Sequence, residues 1–183
     1  SLGNAIQLLA QAIFVSGGIS VNSAQGVAGN IRFAANTVSL NPGSAVEANG
    51  DEGGIVTIAA NDAIFTNTAI QANGGNGRGG TLSITAANDL RFIHATLQAN
   101  GTTDGGVIAL IANQDDLIIQ NSLIQTNGST GRGGSIGASA ANNVILQNAA
   151  IEAKGYTQGG SVNIGNDASN GTLPFALLSS LDR

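Results

Sequence analysis

The stretch AIQANGGNGRGGTLSITAANDLRFIH (residues 69–94) decides the fold, because it is one copy of a recurring unit. Taken alone, Gly75-Asn76-Gly77-Arg78-Gly79-Gly80 satisfies G-x-G-x-x-G, the loop that cradles a dinucleotide pyrophosphate. That reading needs a strand before the loop and a helix after it. TLSITA follows instead, and its alternation of apolar and polar residues is a strand pattern. The matching corners elsewhere, GTTDGG (101–106) and GSTGRGG (128–134), vary freely. The glycines therefore read as a corner of the chain, not as a cofactor loop.

The copies set the architecture. VEANG (46–50), IQANG (70–74), LQANG (97–101), IQTNG (124–128) and IEAKG (151–155) repeat one element, with a weaker copy in ISVNS (19–23). Ile70, Leu97, Ile124 and Ile151 stand 27 residues apart each time. A second element begins at Gly-Gly in GGIVTIAAN (53–61), GGTLSITAAN (79–88), GGVIALIAN (105–113) and GGSIGASAAN (133–142). A third follows in DAIFTN (62–67), DLRFIH (89–94), DLIIQN (116–121) and NVILQN (143–148). Three short strands per unit, separated by Gly- and Asn-rich corners that tolerate positive φ, predict an all-β fold. A hairpin meander does not require the same residue type to recur every full unit. A right-handed parallel β-helix (a β-solenoid) does, with about six coils of about 27 residues, each strand pairing with its copy one coil on.

The columns follow from that stacking. Val56, Leu82, Ile108, Ile136 and Val162 are expected inside one face, beside Ile58, Ile84 and Leu110 until Ala138 interrupts. Phe65, Phe92, Ile119 and Leu146 form another interior column. Like-on-like stacking fills a core with few aromatics, in keeping with 3% aromatic, 9% charged and 42% hydrophobic residues and 27 glycines. Outside, Gln71, Gln98 and Gln125 form a ladder flanked by Glu47 and Glu152, and Asn49, Asn73, Asn100 and Asn127 form another. Their side-chain amides are expected to bond to one another along the axis. Glu52, Arg78, Asp104 and Arg132 alternate in sign, so opposite charges should be neighbours and set the register.

The ends depart from the repeat, which gives three regions: an N-terminal cap or docking segment (1–18), the solenoid (19–166) and a C-terminal cap or docking segment (167–183). NAIQLLAQAIF (4–14) is a candidate amphipathic helix with Asn4 as N-cap. Ile6, Leu9, Ile13, Phe175, Leu178 and Leu181 are candidate assembly contacts, since a solenoid must cover its terminal coils. The absence of Met suggests a processed product or an excerpt.

Composition also excludes function classes. The net charge is −5 with no basic run, against nucleic-acid binding. No stretch reads as a membrane span. There is no Cys for a thiolate metal site. Asp115-Asp116 and Asp51-Glu52 are the candidates for a hard cation such as calcium, but the repeated G-G-x-G-x-D motif is missing, so no cofactor is expected. The single histidine, His94, shares a column with Asn67, Asn121 and Asn148 and reads as a corner residue without a second base. No catalytic residues are assigned.

The string I-x-A-N-G…GG-x-[IL]-x-I-x-A-A-N-D-[LV]-x-[FIL], over roughly residues 19–166, resembles the repeat region of filamentous-haemagglutinin-like exoproteins of bacterial two-partner secretion. NPG (41–43) faintly matches the Asn-Pro motifs of that family's secretion domain. The resemblance implies a secreted right-handed β-helix at the cell surface, used for adhesion, matrix contact or display. The expected function is a non-enzymatic extracellular structural or adhesive protein. It would associate with itself end to end or form part of a longer rod, with surface glycans as candidate partners. The alternative is a β-helix that binds or cleaves polysaccharide.

Overall fold

The structure, a computed structural model, describes residues 4–166. It is a parallel β-solenoid. The first coil is β1 (Ala5–Leu9), β2 (Ala12–Val15) and β3 (Gly18–Ser20), and the second is β4 (Asn30–Leu40) and β5 (Ala45–Glu47). The third is β6 (Ile55–Thr66) and β7 (Ala69–Gln71), and the fourth is β8 (Thr81–Ala86), β9 (Leu90–Ile93) and β10 (Thr96–Gln98). β11 (Val107–Ala112), β12 (Leu117–Gln120) and β13 (Leu123–Gln125) make the fifth. β14 (Ser135–Ala140), β15 (Val144–Gln147) and β16 (Ala150–Glu152) make the sixth, and β17 (Ser161–Asn166) opens a seventh. In the second and third coils the first two strands run on without a break, so β4 and β6 join two faces into one 11-stranded sheet. The third face is a separate 6-stranded sheet.

Every strand pairing is in parallel register with the neighbouring coil, and the interior columns are those the repeats predict. Ile6, Ile31, Val56, Leu82, Ile108, Ile136 and Val162 are successive partners. Burial alternates residue by residue along the strands, as in TLSITA, where Leu82, Ile84 and Ala86 face in. Phe65 and Phe92 stack with ring centroids 4.9 Å apart and planes 17° from parallel. Leu146 corrects one expectation: it stays in register with Ile119 but is 40% exposed, because it belongs to the last described strand of its face.

The N-terminal segment corrects another. Residues 4–14 are not a helix; β1 and β2 lie in parallel register on β4. Period 2 wins over period 3.6 because Ile6 and Leu8, then Ile13 and Val15, pack towards the core, and β4 offers their backbone a ladder. The described solenoid thus begins at Ala5. Of the candidate assembly contacts, Leu9 is 65% exposed, Ile6 is half-buried and Ile13 is buried within the core. Phe175, Leu178 and Leu181, with the whole 167–183 segment, lie outside the described residues.

The corner glycines are needed for a different reason from the one expected. Positive φ occurs only at Gly26 and Gly43 among the described glycines, and at Asn67, His94, Asn121 and Asn148. The Gly-Gly corners instead bring two backbones into contact: a Cβ on Gly80 would lie 2.0 Å from the Gly54 carbonyl oxygen, and one on Gly106 2.0 Å from that of Gly80. Left-handed backbone is assigned to the other corner, where Asn tolerates it and His94 takes the same place.

Candidate functional site

The corner leading from the third face to the first carries the densest polar arrangement. Alternate backbone amides there point up and down the stack. Ala72 and Gly74 donate to the Gln98 and Asn100 carbonyls of the next coil, each at 2.8 Å. Asn73 faces the preceding coil, where the Asn49 side-chain oxygen accepts its N–H at 2.8 Å. The same bond repeats from Asn49 to Asn22 (2.8 Å), Asn100 to Asn73 (2.9 Å), Asn127 to Asn100 (2.8 Å) and Lys154 to Asn127 (2.8 Å). The asparagine ladder is therefore side chain to backbone, not amide to amide as expected. It supplies acceptors where the chain leaves the sheet and strand carbonyls run out. Coil-to-coil spacing within it is 24 residues at Asn49–Asn73 and 27 at Asn73–Asn100, so the ladder absorbs changes in coil length.

Replacing Asn100 by alanine strands the Asn127 N–H at a half-buried corner and should cost about 1–3 kcal/mol. Asn100→Asp keeps an acceptor oxygen and should recover most of that loss. Urea midpoints of the two variants against the parent check this.

The glutamine ladder is amide to amide. Gln71 Nε2 donates to Gln98 (2.8 Å), Gln98 to Gln125 (2.9 Å) and Gln125 to the Glu152 carboxylate (2.9 Å). A carboxylate only accepts, so the chain of donors ends there. Lys154 Nζ bonds Glu152 at 2.9 Å and stands where the asparagine column would continue. The charge column is less paired than its alternation predicts. Arg78 Nε meets Asp104 at 3.3 Å, and the other Asp104 oxygen accepts the Arg132 backbone N–H at 2.9 Å. Glu52 and the Arg132 guanidinium have no ion-pair partner among the described residues.

Three carboxyls are held below their ordinary values of 3.8 for Asp and 4.5 for Glu. For Asp51 the causes are the Gly26 N–H and then the Asn76 amide; for Asp104, the Arg132 N–H leads. For Glu152 the leading cause is Lys154, followed by Gln125. A carboxyl with a depressed folded pKa stabilises the fold while ionised. That contribution is complete above the unfolded value and disappears as pH falls through the folded one. Thermal midpoints should be flat down to about pH 5 and fall below about pH 4. Melts followed by circular dichroism check this; a midpoint that rises on acidification contradicts it.

The G-x-G-x-x-G stretch has no free phosphate cradle. Gly75 N–H donates to the Gly50 carbonyl (2.7 Å), Asn76 and Gly77 to that of Asp51 (3.2 and 2.7 Å), and Gly80 to Ala72 (2.7 Å). The chain then enters β8, a strand. Asp115 accepts from Asn142 (3.3 Å) and Asp116 from Asn143 (2.9 Å). Among the described residues no group of three or more His, Cys, Asp or Glu is placed to hold a metal. The described residues form no helix long and apolar enough to cross a membrane.

Sequence reasoning missed three features. A further ladder at the corner between first and second faces runs from Asn61 to Asn36 (3.5 Å) and from Asn36 to Gln11 (3.2 Å); the recurring A-A-N was its signal. Thr126 replaces the alanine of Ala72, Ala99 and Ala153, and its buried hydroxyl has no partner among the described residues. The third is an open groove of about 440 Å³ beside the Gly-Gly corners of the last coils, lined by Arg132, Gln158, Ser135 and Ser161 together with the corner glycines. It arises from small residues meeting across a turn, which no single motif announces.

Compared with protein-family models, with curated proteins and with solved structures, the chain matches none of them.

Proposed function

We propose that the chain is a non-enzymatic structural and adhesive protein of the cell surface, acting as a rigid rod. The observation that carries this reading is the asparagine ladder from Asn22 to Lys154, which binds every full coil to the next. Polar side chains that a catalyst would aim at a substrate are here spent on the neighbouring coil: Asp51, Asp104, Asp116 and Glu152 all accept bonds from within the stack. The sequence resemblance to filamentous-haemagglutinin-like repeats supports placing the rod outside a bacterial cell.

Six coils at the inter-strand spacing give only about 29 Å of rod. The chain therefore works as part of a longer stack or by associating end to end with further copies. Among the described residues, β1 and β17 each pair with only one neighbour, and such edges favour strand addition. Electron microscopy of the purified protein tests this reading. Filaments or rods with an axial strand repeat of about 4.8 Å support it. Monodisperse particles that depolymerise a polysaccharide overturn it.

A further inference from the structure

The groove beside the last Gly-Gly corners differs chemically from the rest of the surface. Its walls carry a guanidinium, a side-chain amide and two hydroxyls, and none of the residues lining it is acidic. Arg132 is exposed and forms no ion pair among the described residues, whereas Arg78 two coils earlier is paired with Asp104. Asp104 hydrogen-bonds the Arg132 backbone N–H and acts on its guanidinium through charge alone, so the donors of that side chain are left for something else. Ser161 donates to Ser135 at 3.0 Å, which leaves the Ser135 hydroxyl proton free to donate outward. Much of the remaining lining is glycine, Gly106 and Gly134 among others, and a ligand can lie close against it.

We propose that this groove is a binding site for an acidic polysaccharide, with Arg132 clamping a uronate carboxylate while Gln158 and Ser135 bond to sugar hydroxyls. The planar fork of arginine suits a carboxylate, bound through two parallel bonds. A single cation in the groove, on a chain of net charge −5, favours a polymer of sparse carboxylates over a dense polyanion such as nucleic acid. An open groove lined by hydroxyl, amide and backbone, without aromatic walls, suits an extended hydroxyl-rich chain better than an apolar peptide. This site goes beyond the rod reading, because it is complete within one copy.

Nuclear magnetic resonance titration of the chain with an oligogalacturonate, in solution or in the solid state according to its assembly, tests the proposal. Shifts confined to the groove, with the largest at Arg132, Ser135 and Gln158, are expected. Binding should weaken at least tenfold for Arg132→Gln, for the fully methyl-esterified oligomer, and for the galacturonate monomer. Arg78→Gln should bind as the parent does. Since only the backbone of Arg132 bonds within the fold, Arg132→Gln should keep the parental melting midpoint. The proposal is overturned by shifts elsewhere, by no binding, by equal binding of Arg132→Gln, or by a monomer that binds as tightly as the oligomer. None of these outcomes bears on whether copies form filaments, so the two readings fail separately.

Discussion

Gly80→Ala is expected to destroy the cooperative fold, although it adds a single methyl group at one of the chain's 27 glycines. The new Cβ would lie 2.0 Å from the Gly54 oxygen, 2.7 Å from the Gly53 carbonyl carbon and 2.9 Å from the Gly54 nitrogen. All three are backbone atoms of the preceding coil, so no side chain can swing aside. Relief requires the coils to part, and the parting breaks the bond between them from Thr81 N–H to the Gly54 carbonyl. Overpacking in an ordinary core costs about 1–3 kcal/mol, and a backbone-on-backbone clash should exceed that. A domain of this size has only about 5–15 kcal/mol in total. Gly137→Ala is the control. Gly137 lies in β14, where an added Cβ would meet nothing within 4 Å, so alanine there should stabilise by about 0.5–1 kcal/mol. Urea denaturation followed by far-ultraviolet circular dichroism separates the two. Equal tolerance at both positions would show that the Gly-Gly corner is not a close contact.

Phe92→Ala should be the most damaging of the core truncations, at about 3–5 kcal/mol. Phe92 is fully buried, stacked on Phe65, with Ile119 on its other side in the same column. Between them these two rings fill their column in the third and fourth coils, where the column through Ile58 and Ile84 is aliphatic. Since each coil contacts only its neighbours, the void cannot be filled from a distance, and collapse would pull β9 out of register with β6 and β12. Phe92→Leu, which keeps much of the volume, should cost well under half as much. Denaturation midpoints of the two variants check the ratio. A small loss for alanine would mean that the column is loosely packed.

The repeat made most of the fold legible, for a physical reason. In a parallel stack every residue meets its own copy, so a like-on-like requirement is printed in the sequence once per coil. The interior columns through Leu82, Ile84 and Phe92 were readable on that basis, and so was the glutamine ladder. Among the described residues the outermost coils have a neighbour on one side only, so fewer copies of each column are there to read. Residues 4–14 were misread there, because AIQLLAQAIF shows a helical as well as a strand period. The asparagine column was visible but its bonding was not, because backbone amide direction at a corner cannot be read from residue types. Likewise Gly-Gly suggests positive φ by habit, and only the position of the preceding coil shows that close contact is the demand. Arg132 looked like one more member of an alternating column. Its availability depends on Asp104 having turned to Arg78, a choice made in three dimensions.

The central claim is that corner side chains, by completing the backbone bonding between coils, make the stack continuous. Hydrogen exchange at the Asn73, Asn100 and Asn127 amides, measured by nuclear magnetic resonance, tests it most directly. These residues lie outside the named strands, and each amide donates to the asparagine of the preceding coil. They should exchange as slowly as the strand amides of Leu97 and Ile124, and Asn73→Ala should release Asn100 alone by at least tenfold. Exchange of all three at the rate of open loops, unaffected by Asn73→Ala, would contradict the account.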